Sequence, residues 1–324
     1  MIDMDGSPVE ILSIIGPTAS GKTRFSIELA RALDGEIVSV DSRQVYRFMN
    51  IGTDKISPGI RREIPHHLID VADPDETFSA ADFAEKATLA VRGILERGRT
   101  PILAGGTPFY YKAFFSRVLT AGLERWDDLR REYEMVWDDG GGAGIFEKLV
   151  RRDPVYASRI HPNDRFRVIR ALSIIDKTGK TPSMLHDAGT PASPGYRPFY
   201  IGLYPGRKFL YSIIEERVKE QFASGYPDEV NWLLSRGYSP ELPSMRGFGY
   251  RELAAYLKGE LTLQEALEGD IRSTKAFARR QMTWFRKFSP CLWYYVTGSG
   301  IQDQVRKVIA LWKERHGGSP EISN

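Results

Sequence analysis

Residues Gly16-Pro17-Thr18-Ala19-Ser20-Gly21-Lys22-Thr23 fit the pattern G-x-x-x-x-G-K-[ST] without a gap. No other feature of the 324-residue chain limits its fold as strongly. The pattern works only as a loop between a buried strand and a helix. The apolar run Val9 to Ile15 supplies the strand. Thr23 to Leu33 supplies the helix, with Phe25, Ile27, Leu29, Ala30 and Leu33 as its apolar positions. Backbone N–H groups of such a loop, together with those of the helix N-terminus, cradle a diphosphate. The candidate diphosphate-binding residues are therefore Gly16, Thr18, Ala19, Ser20, Gly21, Lys22 and Thr23. Lys22 brings a point charge, and the Thr23 hydroxyl is a candidate Mg²⁺ ligand.

Strand and helix signals go on alternating to about residue 120. Strands are expected at Val9–Ile15, Glu36–Val40 and Pro101–Ala104, and helices at 23–33, 79–97 and 107–116. This predicts an α/β fold, a P-loop-type parallel sheet flanked by helices. Ligand clefts in such sheets form at the carboxyl ends of the strands. Asp41 closes the second strand and Gly105-Gly106-Thr107 the third, so all three loops are expected to open onto one crevice. Composition shifts after Gly122. Residues 124–139 are rich in acids and helix formers, Gly140 to Gly144 break the pattern as a hinge or a plain turn, and helices follow near 145–160 and 164–177. A small all-helical insertion is expected over 122–198, within a discontinuous core of 1–121 and 199–310. The sheet is expected to resume at Phe199–Leu203, and residues 311–324 to form a mobile tail.

The remaining composition narrows the function class. Hydrophobic residues at 42% and charged residues at 27% are ordinary for a globular protein. A single cysteine, Cys291, excludes an intrachain disulfide framework and a cysteine-based zinc site. The adjacent pair His66-His67 should point apart in extended chain, which suits structural roles better than a shared metal. The N-terminus shows no signal-peptide pattern, and no apolar run approaches about 18 residues. A cytoplasmic, monomeric enzyme is the expectation.

Three further segments carry chemistry. In Asp41-Ser42-Arg43-Gln44 the carboxylate could hold Mg²⁺, act as a base, or cap a helix, since Gln44 three residues on resembles a capping box. Thr107 could meet a second phosphate or a leaving pyrophosphate, or cap the helix it opens. From Ile271 to Phe288 there are six Arg or Lys and no acid. On a helix Arg272, Lys275, Arg279 and Arg286 fall within roughly a 60° stripe, with Phe277, Trp284, Phe285 and Phe288 opposite. The aromatics are expected to bury and the cations to track a phosphate backbone. A second basic cluster lies at 161–170. There Arg167 and Arg170 should share a helix face while Val168, Ile169, Leu172 and Ile175 pack inward. Between the two, Arg246 to Arg251 mixes glycines, aromatics and arginines suited to base stacking.

Together these segments resemble the bacterial tRNA dimethylallyltransferase family. The resemblance rests on GPTASGKT at 16–23, DSRQVYRFMNIGTDK at 41–55, PHHLID at 65–70 and GGTPFYYKAFF at 105–115. It continues through HPNDRFRVIRAL at 161–172, PSMRGFGYREL at 243–253 and RRQMTWFRKF at 279–288, in order, over roughly residues 10–290. It implies transfer of a dimethylallyl group from dimethylallyl diphosphate to N6 of an adenine beside the anticodon. It gives Asp41 the role of base, Thr107 a part in pyrophosphate departure, and Arg217 a diphosphate contact. It implies anticodon stem-loop contacts from Ser42, Arg43, Gln44, Phe166, Arg167, Arg170, Arg246, Gly249, Tyr250 and Arg251. Arg279, Arg280, Gln281, Trp284 and Arg286 complete that set, to which the basic stripe adds Arg272 and Lys275, with the helical insertion gripping the stem. Arg165-Phe166 stands where the family usually has Pro-Gln, and Ile213-Ile214 where many members have Arg-Ile.

The chemistry suits the residues independently of the resemblance. Loss of diphosphate from an allylic carbon needs charge neutralisation, which a phosphate loop with Mg²⁺ provides. The adenine amine is a weak nucleophile that gains from a carboxylate taking its proton. A small-molecule kinase would not need the acid-free cationic helix. An adenylate isopentenyltransferase would not need the segments 161–170 and 271–288. A nucleic-acid-binding module with a vestigial loop would not need the intact Lys22-Thr23 pair.

Overall fold

The structure is a computed structural model that describes residues 7–116, 127–187, 195–296 and 300–316. The first part runs β1 (Val9–Ile15), α1 (Lys22–Ala32), β2 (Gly35–Ser39), α2 (Pro58–Glu63), β3 (His66–His67), α3 (Ala80–Glu96), β4 (Thr100–Gly105) and α4 (Pro108–Phe115). A helical stretch follows: α5 (Asp127–Val136), a π-helical turn (Trp137–Gly141), α6 (Gly142–Arg152), α7 (Pro154–Ala157), α8 (Arg165–Thr178) and α9 (Pro182–Asp187). The chain closes with β5 (Tyr196–Tyr204), α10 (Arg207–Ala223), α11 (Tyr226–Ser235), α12 (Tyr250–Leu257), α13 (Leu263–Phe285), β6 (Cys291–Tyr295) and α14 (Ile301–His316).

The strands form one six-stranded sheet in the order β3-β2-β4-β1-β5-β6, and every pair is parallel. A parallel sheet covered by helices buries both faces, so its central strands should be apolar throughout. β1 is mostly so, with Ile11, Leu12, Ile14 and Ile15 fully buried, although Glu10 and Ser13 are buried beside them. Its neighbours supply Ile102, Leu103, Ile201 and Leu203, and α1 and α14 cover one face with Phe25, Leu29, Val308 and Trp312. A second apolar cluster joins Val45 and Met49 to Tyr226, Val230, Met245, Tyr250 and Leu253. A third joins α10 to α13 through Leu210, Ile214, Val218 and Ala278.

The chain divides into two compact units, Met1–Phe114 with Tyr196–Asn324, and Phe115–Gly195. The boundary expected at residue 122 lies outside the described residues, and the one at 198 falls inside β5. Within the helical unit, Ile145 and Leu149 of α6 pack on Val168, Leu172 and Ile175 of α8. The buried Asp153 accepts the Tyr156 and Ser183 N–H groups, so the single helix expected over 145–160 is split at Asp153-Pro154. Gly140 adopts φ 87°, a non-helical conformation, and the chain kinks there between α5 and α6.

Two strands escaped the sequence reading. β3 is two residues long, and β6 lies in a segment read as helical. His66 and His67 do point to different partners, the Ile64 carbonyl at 2.7 Å and the Glu36 carboxylate at 2.6 Å. The tail expected from residue 311 is corrected at its start. α14 runs to His316, Trp312 is buried, and Arg315 forms a two-pronged ion pair with Glu10 of β1 at 2.8 and 2.9 Å. Residues 317–324 lie outside the described residues. Among the described residues no helix is long and apolar enough to cross a membrane.

At the end of β4 the backbone of Gly105 approaches β2 so closely that an added Cβ would lie 2.1 Å from the Val40 carbonyl oxygen. Gly105→Ala should therefore destabilise the protein by about 1–3 kcal/mol through overpacking against backbone that cannot rotate away. Denaturant unfolding of the two proteins measures it; an unchanged midpoint would show that the strand ends can separate freely.

Candidate active site

The carboxyl ends of β1, β2, β4, β5 and β6, with α10 and α13, enclose a cavity of about 490 Å³. The phosphate loop forms one wall. Its tight path needs positive φ at Gly16 and Gly21, and it holds Ala19 there as well. At Gly16 a Cβ would lie 2.5 Å from the Leu203 carbonyl oxygen, so only glycine passes β5 at this point. The Lys22 ammonium donates to the Pro17 carbonyl at 2.6 Å. Burial pulls the Lys22 pKa down to about 7, against the field of Asp41 that raises it and with that of Arg217 that lowers it further. From α10, Arg217 donates to the Thr18 hydroxyl at 2.7 Å and to Asp54 at 3.2 Å. Arg217 Nε and the Ser20 hydroxyl are buried without a partner among the described residues.

Asp41 follows β2 on the opposite side of the loop. Its Oδ1 accepts the Arg43 N–H at 2.8 Å and the Gln44 N–H at 3.3 Å. That is a turn, not a helix cap, and it leaves Oδ2 with no hydrogen bond among the described residues. Thr107 accepts the Ser42 N–H at 3.1 Å, which ties the loop after β4 to the loop after β2. One further residue joins two loops to a helix. Gln281, on α13, accepts the Thr18 N–H at 2.8 Å and donates to the Gly106 carbonyl at 2.6 Å. Phe248 and Phe277 face each other across 5.0 Å near the mouth, and Ile56, Phe209, Ile213, Val296 and Ile301 give the cavity an apolar lining.

The IPP transferase family model matches residues 44–288. The chain is 42% identical to a tRNA dimethylallyltransferase of Geobacter sulfurreducens, over 89% of this chain and 92% of that one. It is 42% identical to one from Roseiflexus sp., over 94% and 99%. The chain belongs to the IPP transferase family. Two solved structures agree. A full-length tRNA isopentenylpyrophosphate transferase of Bacillus halodurans superposes with TM-score 0.68 at 38% identity, covering 94% of this chain and 97% of that one. A eukaryotic dimethylallyltransferase acting on tRNA superposes with TM-score 0.83 at 26% identity, covering 98% and 81%.

For this IPP transferase the structure brings Thr18 to Thr23, Asp41, Thr107 and Arg217 around one cavity. Several of the residues expected to meet RNA have partners inside the protein. Gln281 is 4% exposed and spends its amide on the two loops, so it is a clamp. Tyr250 is fully buried and donates to Glu229 at 2.7 Å, and Gly249 is held in its turn by Glu252 at 2.7 Å. Gln44 is occupied by Ser39 and by the Thr53 carbonyl. Arg43 lies with its guanidinium 4.4 Å over Phe248 and donates to the Phe248 carbonyl. In each case the residue type was legible, but its internal partner was not.

The basic stripe is only half open. Arg272 faces Glu268 at 3.8 Å and Lys275 faces Glu215 of α10 at 3.0 Å. The sequence window began after Glu268 and could not show Glu215. Arg279, Arg280 and Arg286 are exposed with no ion pair among the described residues. Phe285 and Phe288 are buried as expected, whereas Trp284 is 38% exposed with the Lys112 ammonium 4.9 Å over its ring. Arg246 and Arg251 are exposed but paired, with Glu241 and Glu252. In the helical unit Phe166 is exposed beneath the Arg130 guanidinium, Arg167 pairs with Asp164, and Arg170 is half-buried. Phe277, expected among the buried aromatics, lines the cavity. Asp270, Thr274 and Phe248 were not singled out. Asp270 could have been, because it falls at the inward spacing of Thr274, Ala278, Gln281 and Phe285.

Gln281→Leu should strand the Thr18 N–H and the Gly106 carbonyl, costing about 1–3 kcal/mol for each buried group left unpaired. It should also weaken pyrophosphate binding, because the loop loses its tether. Arg280→Gln, one residue away and exposed, should stay within about 0.5 kcal/mol of wild type. Denaturant titration and calorimetry with pyrophosphate separate the two; equal behaviour of the variants would refute the clamp.

Proposed function

We propose that this enzyme transfers a dimethylallyl group from dimethylallyl diphosphate to N6 of the adenine at position 37, beside the anticodon of tRNA, releasing diphosphate. The observation that carries the reading is one cavity holding a phosphate loop on one side and a carboxylate with a free oxygen on the other. Lys22, Arg217 and the loop N–H groups bind the diphosphate. The C1–O bond of the donor breaks and its electron pair leaves on the diphosphate. The adenine N6 lone pair forms the new bond to C1, and the N6 proton passes to Asp41 Oδ2. Desolvation sharpens every charge in such a site and keeps water from the allylic cation, which the apolar lining favours.

Mg²⁺ suits the same place. Among the described residues no cluster of three acidic, His or Cys side chains could hold a metal alone. Mg²⁺ shared between a diphosphate and a single protein oxygen needs none, and Thr23, lining the cavity beside the unpartnered Ser20 hydroxyl, offers that oxygen. Bound there, it would supply charge neutralisation on the leaving diphosphate. An adenine in a folded loop must leave its stack at a cost of about a few kcal/mol. Phosphate contacts from Arg279, Arg280 and Arg286, and from the helical unit, offset that cost. The reading places the enzyme in the cytoplasm with its tRNA.

Pure protein with dimethylallyl diphosphate, Mg²⁺ and unmodified tRNA should yield N6-prenyl adenosine by mass spectrometry. Protection from thermal unfolding by ATP instead of the allylic diphosphate would favour a kinase. Asp41→Asn should cut turnover by about 10²–10⁴, the range for a lost general base, while tRNA affinity stays within a few-fold. Wild-type turnover in that variant would leave Asp41 as a turn residue only.

The open half of the stripe gives a separate test. Arg279→Gln and Arg286→Gln should each flatten the slope of log K against log salt by roughly 0.7–0.9 for tRNA binding. Arg272→Gln, already paired with Glu268, should change it less. Identical slopes in all three would make the stripe a solvated face.

A further inference from the structure

The chemistry above leaves one polar cluster of the cavity unused. Asp270 of α13 is 3% exposed and lines the cavity. Its Oδ1 accepts the Thr274 hydroxyl at 3.0 Å, one turn along the helix. A Cβ on Gly249 would lie 2.7 Å from Asp270 Oδ2 and 2.4 Å from the Tyr226 hydroxyl, so both atoms face one small space. The Tyr226 hydroxyl is buried without a partner among the described residues. Arg43 enters the same region from the loop after β2. Its Nη1 is spent on the Phe248 carbonyl, and its Nε and Nη2 are buried without a partner among the described residues. The rings of Phe248 and Tyr250 lie 4.4 and 5.2 Å from the guanidinium carbon. A buried cation with donors unfilled is costly unless a counter-charge is near.

Arg43 also touches the reaction through its backbone, because its N–H donates to Asp41 Oδ1 at 2.8 Å. Side chain and backbone of one residue thus join the buried cluster to the base. We propose that Asp270 is a positioning residue: its carboxylate is the counter-charge that keeps the Arg43 side chain in place, and Arg43 in turn holds the Asp41 carboxylate toward the acceptor amine. The inference rests on the transfer reading above for Asp41's role. The coupling between Asp270 and Arg43 rests on their place in one cavity beside Phe248 and Gly249, with no hydrogen bond or ion pair joining the two side chains among the described residues.

The charged and titratable groups facing Asp270 are Arg43 from the loop, Arg217 from α10, Tyr226 from α11 and Glu252 from α12. Burial pushes its carboxyl up to about 6, Glu252 adds to this, and the Thr274 hydroxyl and the two arginines hold it back. The unfolded chain has the ordinary value of 3.8, so between roughly pH 4 and 6 the folded state binds more protons and stability falls as pH rises. Above that window the ionised group costs stability while it serves the site.

Asp270→Asn tests the coupling. Its kcat should fall roughly ten- to a hundredfold, the range for a misplaced catalytic group, with KM for the allylic diphosphate unchanged. A purely structural aspartate would spare kcat. Asp270→Leu and Arg43→Met should each lower kcat, and the double variant should recover most of the loss relative to Asp270→Leu, since an apolar pair replaces a charged one. Additive losses in kcat overturn the proposal. A readout without substrate completes the test: the Arg43 amide ¹H–¹⁵N resonance should titrate with a midpoint near pH 6 in wild type and not in Asp270→Asn. An inactive wild type whose Arg43 amide titrates refutes the transfer reading and upholds the coupling. An active wild type whose Arg43 amide is silent refutes the coupling.

Discussion

The side-chain amide of Gln281 is the contact on which the geometry of the cavity depends. One end holds the phosphate loop after β1 and the other holds the turn after β4. The loop after β2 is then joined to β4 by Thr107, through the Ser42 N–H. Three strand ends separated in sequence are thereby fixed by two side chains. Because α13 carries the amide, anything that moves this helix moves the diphosphate site. The same helix brings Asp270 and Thr274 inward and Arg279 and Arg280 outward. The cavity-lining side and the exposed basic side are thus two faces of a single helix.

Charge in the cavity follows from this enclosure. Lys22, Arg217 and Arg43 line one cavity with Asp41, Asp54 and Asp270. Buried polar groups are nearly always paired in folded proteins. Here Arg43, Arg217, Ser20 and Tyr226 each keep an atom without a partner among the described residues, and Arg43, Arg217 and Ser20 line the same cavity. Lys22 responds by losing part of its affinity for its proton, and Asp270 by gaining some. Sites that bind charged substrates concentrate such perturbed groups, because binding must supply what the fold withholds.

Much of this was legible in the sequence, and the rest was not for definite reasons. β1, α1 and the loop between them carry a fixed spacing and an unbroken apolar run, so local pattern alone specified them. The inward face of α8 was legible too, with Val168, Ile169, Leu172 and Ile175 buried as their spacing requires. β3 is too short to carry a pattern, and the aromatic run of β6 was masked by the helices around it. Tyr250 and Gln281 failed for another reason. Their segments were read as surface, because aromatics, arginines and amides serve RNA contact and core hydrogen bonding equally well. Lys275 shows the limit most clearly, since its partner Glu215 is 60 residues away on another helix. Local sequence records a charge but not the opposite charge that folding brings to it.

The phosphate loop has a temporal consequence. Its residues come near the start of the chain, but Thr18 waits for a partner 263 residues later. At Gly21 a Cβ would lie 3.0 Å from the Ile301 side chain of α14, so the far end of the chain also packs on the loop. During synthesis the motif leaves the ribosome long before α13 and α14 exist. A nascent chain therefore carries the loop's signature without the contacts from α13 and α14, which form only when the last helices dock.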